Sequence, residues 1–350
     1  MGFKVFDINN LVRENIGKIK PYASARDDFK DFESDMIFLD ANENPFNNGF
    51  NRYPDPQQIK LKQVIGKQKG ILIENILLGN GSDEVLDLIF RVFCEPKQDS
   101  VIILPPTYGM YQVLAETNAI DVVRVPLSDK FQPQVDDILK SVNSTTKLLF
   151  LCSPNNPTAN SFNADLIEKL ISEFPGIVVI DEAYIDFSQK ESWSDRLDEF
   201  KNLIVIQTLS KAYGLAGIRL GMCFASKEII AILNKIKPPY NINSLTQQKA
   251  LEILSNIEKK NEEVLALLKQ RQLLATSIAE ISFVEKVYPS HANFLLIKVD
   301  NANKRYKQMI EKGIVVRNRT KEIGCNNCLR ITIGTFEENI KLINTLKNLQ

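Results

Sequence analysis

What most constrains this chain is a rhythm of short, branched apolar runs separated by stretches of helical periodicity. Residues 100–104, 121–125, 147–152, 177–180 and 203–206 are such runs, with little internal alternation of apolar and polar positions. Runs of this kind suit strands buried on both faces, and helical stretches between them, such as 164–174, supply the crossovers a parallel sheet needs. The expected fold is therefore α/β, with a mainly parallel sheet sandwiched by helices. An earlier short strand at 75–78 enters Gly79-Asn80-Gly81, followed by a helix with apolar residues at Val85, Leu86, Ile89 and Phe90. Sheets of this class take ligands at the carboxyl ends of their strands, so the residues just after each run matter most.

The chain's 350 residues leave room for a second, smaller domain. Residues 1–35 read as an arm with a helical opening at 8–19. Residues 36–240 form the large domain, and 241–350 a smaller C-terminal α+β domain beginning after Pro238-Pro239. In that last part the pattern predicts one long helix over 241–278, with Leu251, Leu254, Ile257, Val264, Leu267 and Leu268 as apolar positions. A strand at 293–299, a helix at 303–312, strands at 314–317 and 329–333, and a closing helix from about Glu337 complete it.

Composition excludes several functions. The 43 basic and 43 acidic residues balance, which argues against a nucleic-acid binder driven by net charge. No apolar run approaches the ~20 residues needed to span a bilayer, and residues 1–10 lack a signal-peptide core. A soluble, cytoplasmic protein without a membrane partner is expected. Cys94, Cys152 and Cys223 have apolar neighbours and read as reduced, buried thiols. Cys325 and Cys328 form a CxxC without a second pair or a nearby histidine, so no metal site is expected. His291, the single histidine, is assigned no role.

Four segments at strand ends carry candidate chemistry. Gly79-Asn80-Gly81-Ser82-Asp83-Glu84 opens a helix whose free N–H groups could receive an anion, or whose Ser82 or Asp83 could simply cap it. It is neither a Walker A motif nor a complete GxGxxG. Ser153-Pro154-Asn155-Asn156-Pro157-Thr158 could aim a carboxamide at a ligand oxygen, or be turn chemistry. Asp181-Glu182-Ala183-Tyr184 could pair a carboxylate with a cationic ring nitrogen, or cap the next segment. In Ser210-Lys211-Ala212-Tyr213-Gly214-Leu215-Ala216-Gly217-Ile218-Arg219, a partly desolvated lysine would be a nucleophile toward carbonyls, while Ser210 and Arg219 could hold a phosphate. A Schiff-base lysine beside a phosphate site points to pyridoxal 5'-phosphate. Asp181 and Lys211 lie thirty residues apart, about one β–α–β step, so they can address opposite ends of one ring.

In their order, Asn-Pro-Thr, Asp-Glu-Ala-Tyr and Ser-Lys-Ala-Tyr-Gly-Leu-Ala-Gly-Ile-Arg resemble the fold-type-I pyridoxal-phosphate aminotransferases. Lys20-Pro21-Tyr22, Leu39-Asp40-Ala41-Asn42-Glu43-Asn44-Pro45, Asn51-Arg52-Tyr53-Pro54-Asp55-Pro56, Val316-Arg317-Asn318-Arg319 and Cys328-Leu329-Arg330-Ile331-Thr332 narrow the likeness to the histidinol-phosphate aminotransferase family, over essentially the whole chain. The resemblance implies a homodimer that exchanges an amino group between L-histidinol phosphate and 2-oxoglutarate in histidine biosynthesis. It implies Lys211, Asp181 and Tyr184 as catalytic residues, with Lys211 the covalent anchor and proton shuttle. Asp181 would meet the pyridine nitrogen, Tyr184 and Asn156 the phenolic oxygen, and Tyr108 the ring face. Ser82, Asp83, Ser210 and Arg219 would cradle the phosphate, with Tyr53 arriving from the partner subunit. Arg330, Arg317 and Tyr22 would bind substrate. The same fold can host an aromatic aminotransferase or a phospho-amino-acid decarboxylase, which remain the alternatives. One departure stands out: Ala159 replaces the family's glycine after Asn-Pro-Thr, at a cost of roughly 1 kcal/mol if the position needs positive φ.

Overall fold

The computed structural model describes residues 7–21 and 37–349. Strands β1 (Ile76–Asn80), β2 (Ser100–Ile103), β3 (Asp121–Arg124), β4 (Thr146–Cys152), β5 (Ile177–Asp181), β6 (Leu203–Thr208) and β7 (Leu220–Ala225) form one seven-stranded sheet in the order β1-β7-β6-β5-β4-β2-β3. Strands β3, β2, β4, β5 and β6 are mutually parallel, and β7 runs antiparallel to both β6 and β1. The sheet is thus α/β and mainly parallel, as the apolar runs imply. All residues of β5, β6 and β7 are buried.

Helices cover both faces, so the sheet divides the core into two clusters. On one side Leu86, Ile89 and Phe90 of the helix Ser82–Phe93 pack with Phe150, Val179 and Ile204. On the other, Ile167, Leu170 and Ile171 of the helix Ala164–Glu173 pack with Leu149, Val178 and Val205. Local chemistry sets several helix starts: Asn163 caps the helix Ala164–Glu173, and Ser226 caps the helix Lys227–Ile236 by accepting from the N–H of Ile229.

A second, four-stranded antiparallel sheet has the order β10-β11-β9-β8, from β8 (Val284–Val287), β9 (Phe294–Val299), β10 (Arg317–Asn318) and β11 (Cys328–Thr332). Alternate residues take opposite sides. Leu295, Ile297, Leu329 and Ile331 join Leu274, Ile278 and Leu342 in their own core, while Phe294, Leu296 and Cys328 join the core of the large sheet. The small sheet is therefore seated directly against the elements that carry the strand-end loops.

Three local readings change. The helix expected over 241–278 is two, Ser244–Leu254 and Ile257–Ala279, because Asn256 leaves helical geometry and its side chain caps the second at the N–H of Lys259. The strand expected at 314–317 shrinks to Arg317–Asn318: Val316 is buried in the small core, but Val315 is 80% exposed and unpaired. The helical opening over 8–19 resolves into a 3-10 turn at Ile8–Asn10 and a helix at Glu14–Lys18.

Candidate active site

Because β4, β5 and β6 are parallel, their carboxyl ends lie side by side, with Cys152 opposite Asp181 and Asp181 opposite Ile206. The segments after them deliver Asn156, Tyr184, Ser210 and Lys211. Since β7 is antiparallel, its beginning sits at the same end and brings Arg219; β1, running with β6, brings Gly81 and Ser82. Thr208 and Gly79 both face Gly221 across β7. A Cβ on Gly221 would lie 2.4 Å from the backbone nitrogen of Ser82, so the helix start can approach only a glycine there.

These ends enclose a cavity of about 140 Å³ lined by Ser82, Asp83, Tyr108, Cys152, Asn156, Asp181, Tyr184, Thr208, Ser210, Lys211 and Arg219 among others. Nine of the expected site residues thus meet in one pocket: Lys211, Asp181, Tyr184, Ser82, Asp83, Tyr108, Asn156, Ser210 and Arg219. Arg330 reaches toward it from β11, its Nη1 donating to Asn156 Oδ1 at 2.6 Å. Arg317 stands opposite Arg330 on β10 and is exposed. Tyr53 lies elsewhere in its own chain, stacked on Tyr240 with centroids 4.5 Å apart. Tyr22 lies outside the described residues.

The two ends of the pocket differ in charge. At the floor, Asp181 is buried, and burial raises its pKa. Its Oδ2 accepts from the Tyr111 hydroxyl at 2.8 Å and its Oδ1 from the Ala183 N–H at 3.0 Å, and both bonds favour the charged form. A carboxylate held this way suits a cationic partner. At another wall the start of the helix Ser82–Phe93, the Arg219 guanidinium and the Ser210 hydroxyl line the same cavity, a set of donors that suits an anion. The Asp83 carboxylate serves this wall indirectly: it lies 3.6 Å from Arg219 and accepts the Tyr108 hydroxyl at 3.0 Å, fixing both side chains.

Lys211 Nζ stands 5.6 Å from the centre of the Tyr184 ring. Its pKa is lowered, first by burial and then by Arg330, against the opposing pull of Asp181 and Asp83. Burial raises the Tyr184 hydroxyl, which stays neutral and able to donate.

Tyr111 and Thr208 are missed by sequence reasoning. Tyr111 lies in the helix Met110–Thr117, and only core packing brings its hydroxyl to Asp181. Thr208 bonds to Ser210 twice, through its hydroxyl to Ser210 Oγ at 3.0 Å and from the Ser210 N–H at 3.1 Å. His291, given no role, is structural: its Nδ1 accepts from the Ser161 N–H at 3.0 Å and its own N–H donates to Ala159 O at 2.7 Å.

The profile of the family described as aminotransferase class I and II matches residues 29–346. The chain belongs to that family. Within it, the chain is 60% identical to a histidinol-phosphate aminotransferase of Flavobacterium johnsoniae over 345 residues, covering 98% of this chain and 99% of the relative. It is 52% identical to one of Parabacteroides distasonis over 344 residues, with the same coverage. The solved histidinol-phosphate aminotransferase of Clostridium acetobutylicum superposes with a TM-score of 0.79 at 25% identity, over 86% of this chain and 91% of that one. A L-threonine-O-3-phosphate decarboxylase of Porphyromonas gingivalis shares the fold (TM-score 0.72, 22% identity, 85% and 90% coverage). The fold alone does not choose between transfer and decarboxylation.

Proposed function

We propose that this aminotransferase uses pyridoxal 5'-phosphate to exchange the amino group of L-histidinol phosphate with 2-oxoglutarate, in histidine biosynthesis. The observation that carries the reading is the polarity of the pocket: a buried carboxylate at one end, an anion cradle at the other, and a partly desolvated lysine between them. Its relatives of 52–60% identity over nearly full length are named for histidinol phosphate, which supports that substrate.

The residues fit the cofactor. Lys211 would anchor it covalently, Asp181 would face its ring nitrogen, Tyr108 its ring face, and Tyr184 and Asn156 its phenolic oxygen. Ser82, the Asp83 N–H, Ser210 and Arg219 would hold its phosphate. Bound there, the cofactor supplies an electron-withdrawing ring that accepts the electron pair left when the substrate Cα–H bond breaks. Lys211 Nζ, with its lowered pKa, takes the proton leaving Cα and returns it on the other side of the transfer. The buried Asp181 carboxylate would keep a proton on the ring nitrogen of the bound cofactor. Arg330 and Arg317 orient the anionic end of either substrate, which a planar guanidinium does for carboxylate or phosphate alike.

The working unit is a cytoplasmic homodimer in which Tyr53 crosses to the partner's phosphate cradle. Support comes from an exposed apolar stretch around it, with Leu39 and Phe46 more than 80% exposed, continued by Leu245. Among the described residues no helix is long and apolar enough to cross a membrane.

The deciding experiment follows glutamate formation from L-histidinol phosphate and 2-oxoglutarate with purified holoenzyme. Release of CO₂ without glutamate, or a higher kcat/KM for aromatic amino acids, would overturn the reading. Lys211→Ala should abolish turnover and the absorbance band of the anchored cofactor.

A further inference from the structure

Three polar atoms in the turn after β10 are buried and make no hydrogen bond among the described residues: Arg319 Nε, Thr320 Oγ1 and Glu322 Oε2. The turn is otherwise well made. The Arg319 N–H donates to Cys328 O at 2.9 Å, the Thr320 N–H to Asn318 Oδ1 at 2.9 Å, and Arg319 Nη1 to Glu322 Oε1 at 2.6 Å. The unspent groups therefore belong to an ordered turn. Its Arg319 guanidinium is tethered at Nη1, which leaves the Nε–Nη2 edge, the edge that forks onto an oxyanion.

Register shows where that edge belongs. Arg317 stands opposite Arg330, and the bond from Arg319 to Cys328 continues the pairing, so Arg317, Arg319 and Arg330 share one face of the small sheet. Leu296, opposite Arg330, and Phe294 share it too. The Arg330 guanidinium lies 5.3 Å from the Phe294 ring, which meets Tyr184 edge-on at 5.1 Å. Three arginines thus gather on the face turned to the pocket. Among the described residues, the one ion pair they make is Arg319–Glu322. Burial lowers the Arg330 pKa, and Arg319 and then Arg317 lower it further, so the trio repel one another. Net of Glu322, the group carries two uncompensated positive charges. A carboxylate matches one of them, and a phosphate, at about −1.5 to −2, matches both.

We infer that Arg319, tethered by Glu322 and flanked by Thr320, is a specificity-determining residue that binds the phosphate of the phosphorylated substrate and sets its preference over carboxylate substrates. This rests on the substrate pair proposed above. Glu322 holds the guanidinium in place and offsets its charge while a monoanionic carboxylate occupies the site.

The test compares the two half-reactions in the holoenzyme by stopped-flow absorbance, with Arg319→Gln and Arg319→Lys beside the parent, and uses inorganic phosphate as an inhibitor of the glutamate half-reaction. Loss of one charge-assisted fork should raise the KM for L-histidinol phosphate about 10- to 100-fold in Arg319→Gln, that for glutamate about threefold or less, with kcat changing less than either. Phosphate inhibition should weaken by a factor similar to the first, and Arg319→Lys should recover part of it. Equal losses on both substrates, or phosphate inhibition unaltered in Arg319→Gln, would overturn the assignment. A parent enzyme that ignores L-histidinol phosphate yet is inhibited by phosphate through Arg319 would remove the proposed substrate and support the arginine's role.

Discussion

The Tyr111 hydroxyl donates to Asp181 Oδ2 at 2.8 Å from a ring that has no exposed surface. The ring has little freedom: it stacks on Phe150 at 5.0 Å and meets Tyr108 edge-on at 5.5 Å. Asp181 is thus held from beneath by a group whose position the core dictates. Burial alone would favour the neutral acid, and Tyr111 is the largest of the influences that oppose it.

Tyr111→Phe keeps the packing and removes this donor. The Asp181 pKa should rise further, so the charged form becomes scarcer. A hydrogen bond to a charged group is worth about 1.5–3 kcal/mol, which predicts a fall in kcat/KM of about tenfold or more at pH 7. The loss should deepen as pH falls and shrink as pH rises. A pH–rate profile checks this; a deficit independent of pH would mean that Tyr111 acts through packing alone.

Gly81 is a second point of leverage. Its φ is +82°, and a Cβ there would lie 2.6 Å from Arg219 Nη2. The obstructed atom is the tip of a flexible side chain, so Gly81→Ala should fold, at a backbone cost of about 1 kcal/mol. Arg219 would have to leave the anion cradle. Cofactor affinity should drop by about tenfold or more, the loss of one guanidinium–phosphate contact. Spectrophotometric titration of the apoenzyme with pyridoxal 5'-phosphate measures it, and unchanged affinity would show that Arg219 does not hold the phosphate.

The sequence made the strands β2, β4, β5 and β6 legible because they are buried on both faces and so read as uninterrupted apolar runs. Their ends then marked Asn156, Asp181 and Lys211 as candidates, and the resemblance to the aminotransferases gave each its expected role. Strand β7 carries the same signal poorly: Leu220-Gly221-Met222-Cys223-Phe224-Ala225 has no β-branched residue, and its glycine is there for the close approach of Ser82. Arg319 and Tyr111 were illegible for a different reason. Arg319 shares a sheet face with Arg330 and Tyr111 reaches Asp181 through the core, and only strand register and core packing reveal such pairs.

Ala159 adopts φ +66°, so the alanine at this turn does carry the strain expected of it. Its methyl group, however, is fully buried in the core of the large sheet. Ala159→Gly would relieve about 1–2 kcal/mol of left-handed strain, against about 0.8 kcal/mol of lost methyl burial and about 0.4–1 kcal/mol from a more flexible unfolded chain. The contributions nearly cancel. A denaturant midpoint within experimental scatter of the parent is the expected result, and a clear gain in stability would show that strain outweighs packing.

Glu182, beside Asp181, points away from the pocket into a buried network. It accepts from Ser192 Oγ at 2.5 Å, the Trp193 N–H at 2.8 Å and Gln207 Nε2 at 2.8 Å. Burial outweighs these bonds and raises its pKa from 4.5 to about 7. Between those values the folded chain binds more protons than the unfolded chain. Glu182 therefore contributes its full stability below about 4.5 and loses it as pH rises through about 7. Glu182→Gln cannot ionise, yet its amide oxygen can still accept from Trp193, and Gln207 can turn its own carboxamide to match. The variant should be more stable than the parent at pH 8, by on the order of 2–3 kcal/mol, and the difference should narrow toward pH 5. Urea midpoints of both proteins at the two pH values test the sign: a variant that loses ground as pH rises would place the Glu182 proton on the opposite side of the balance.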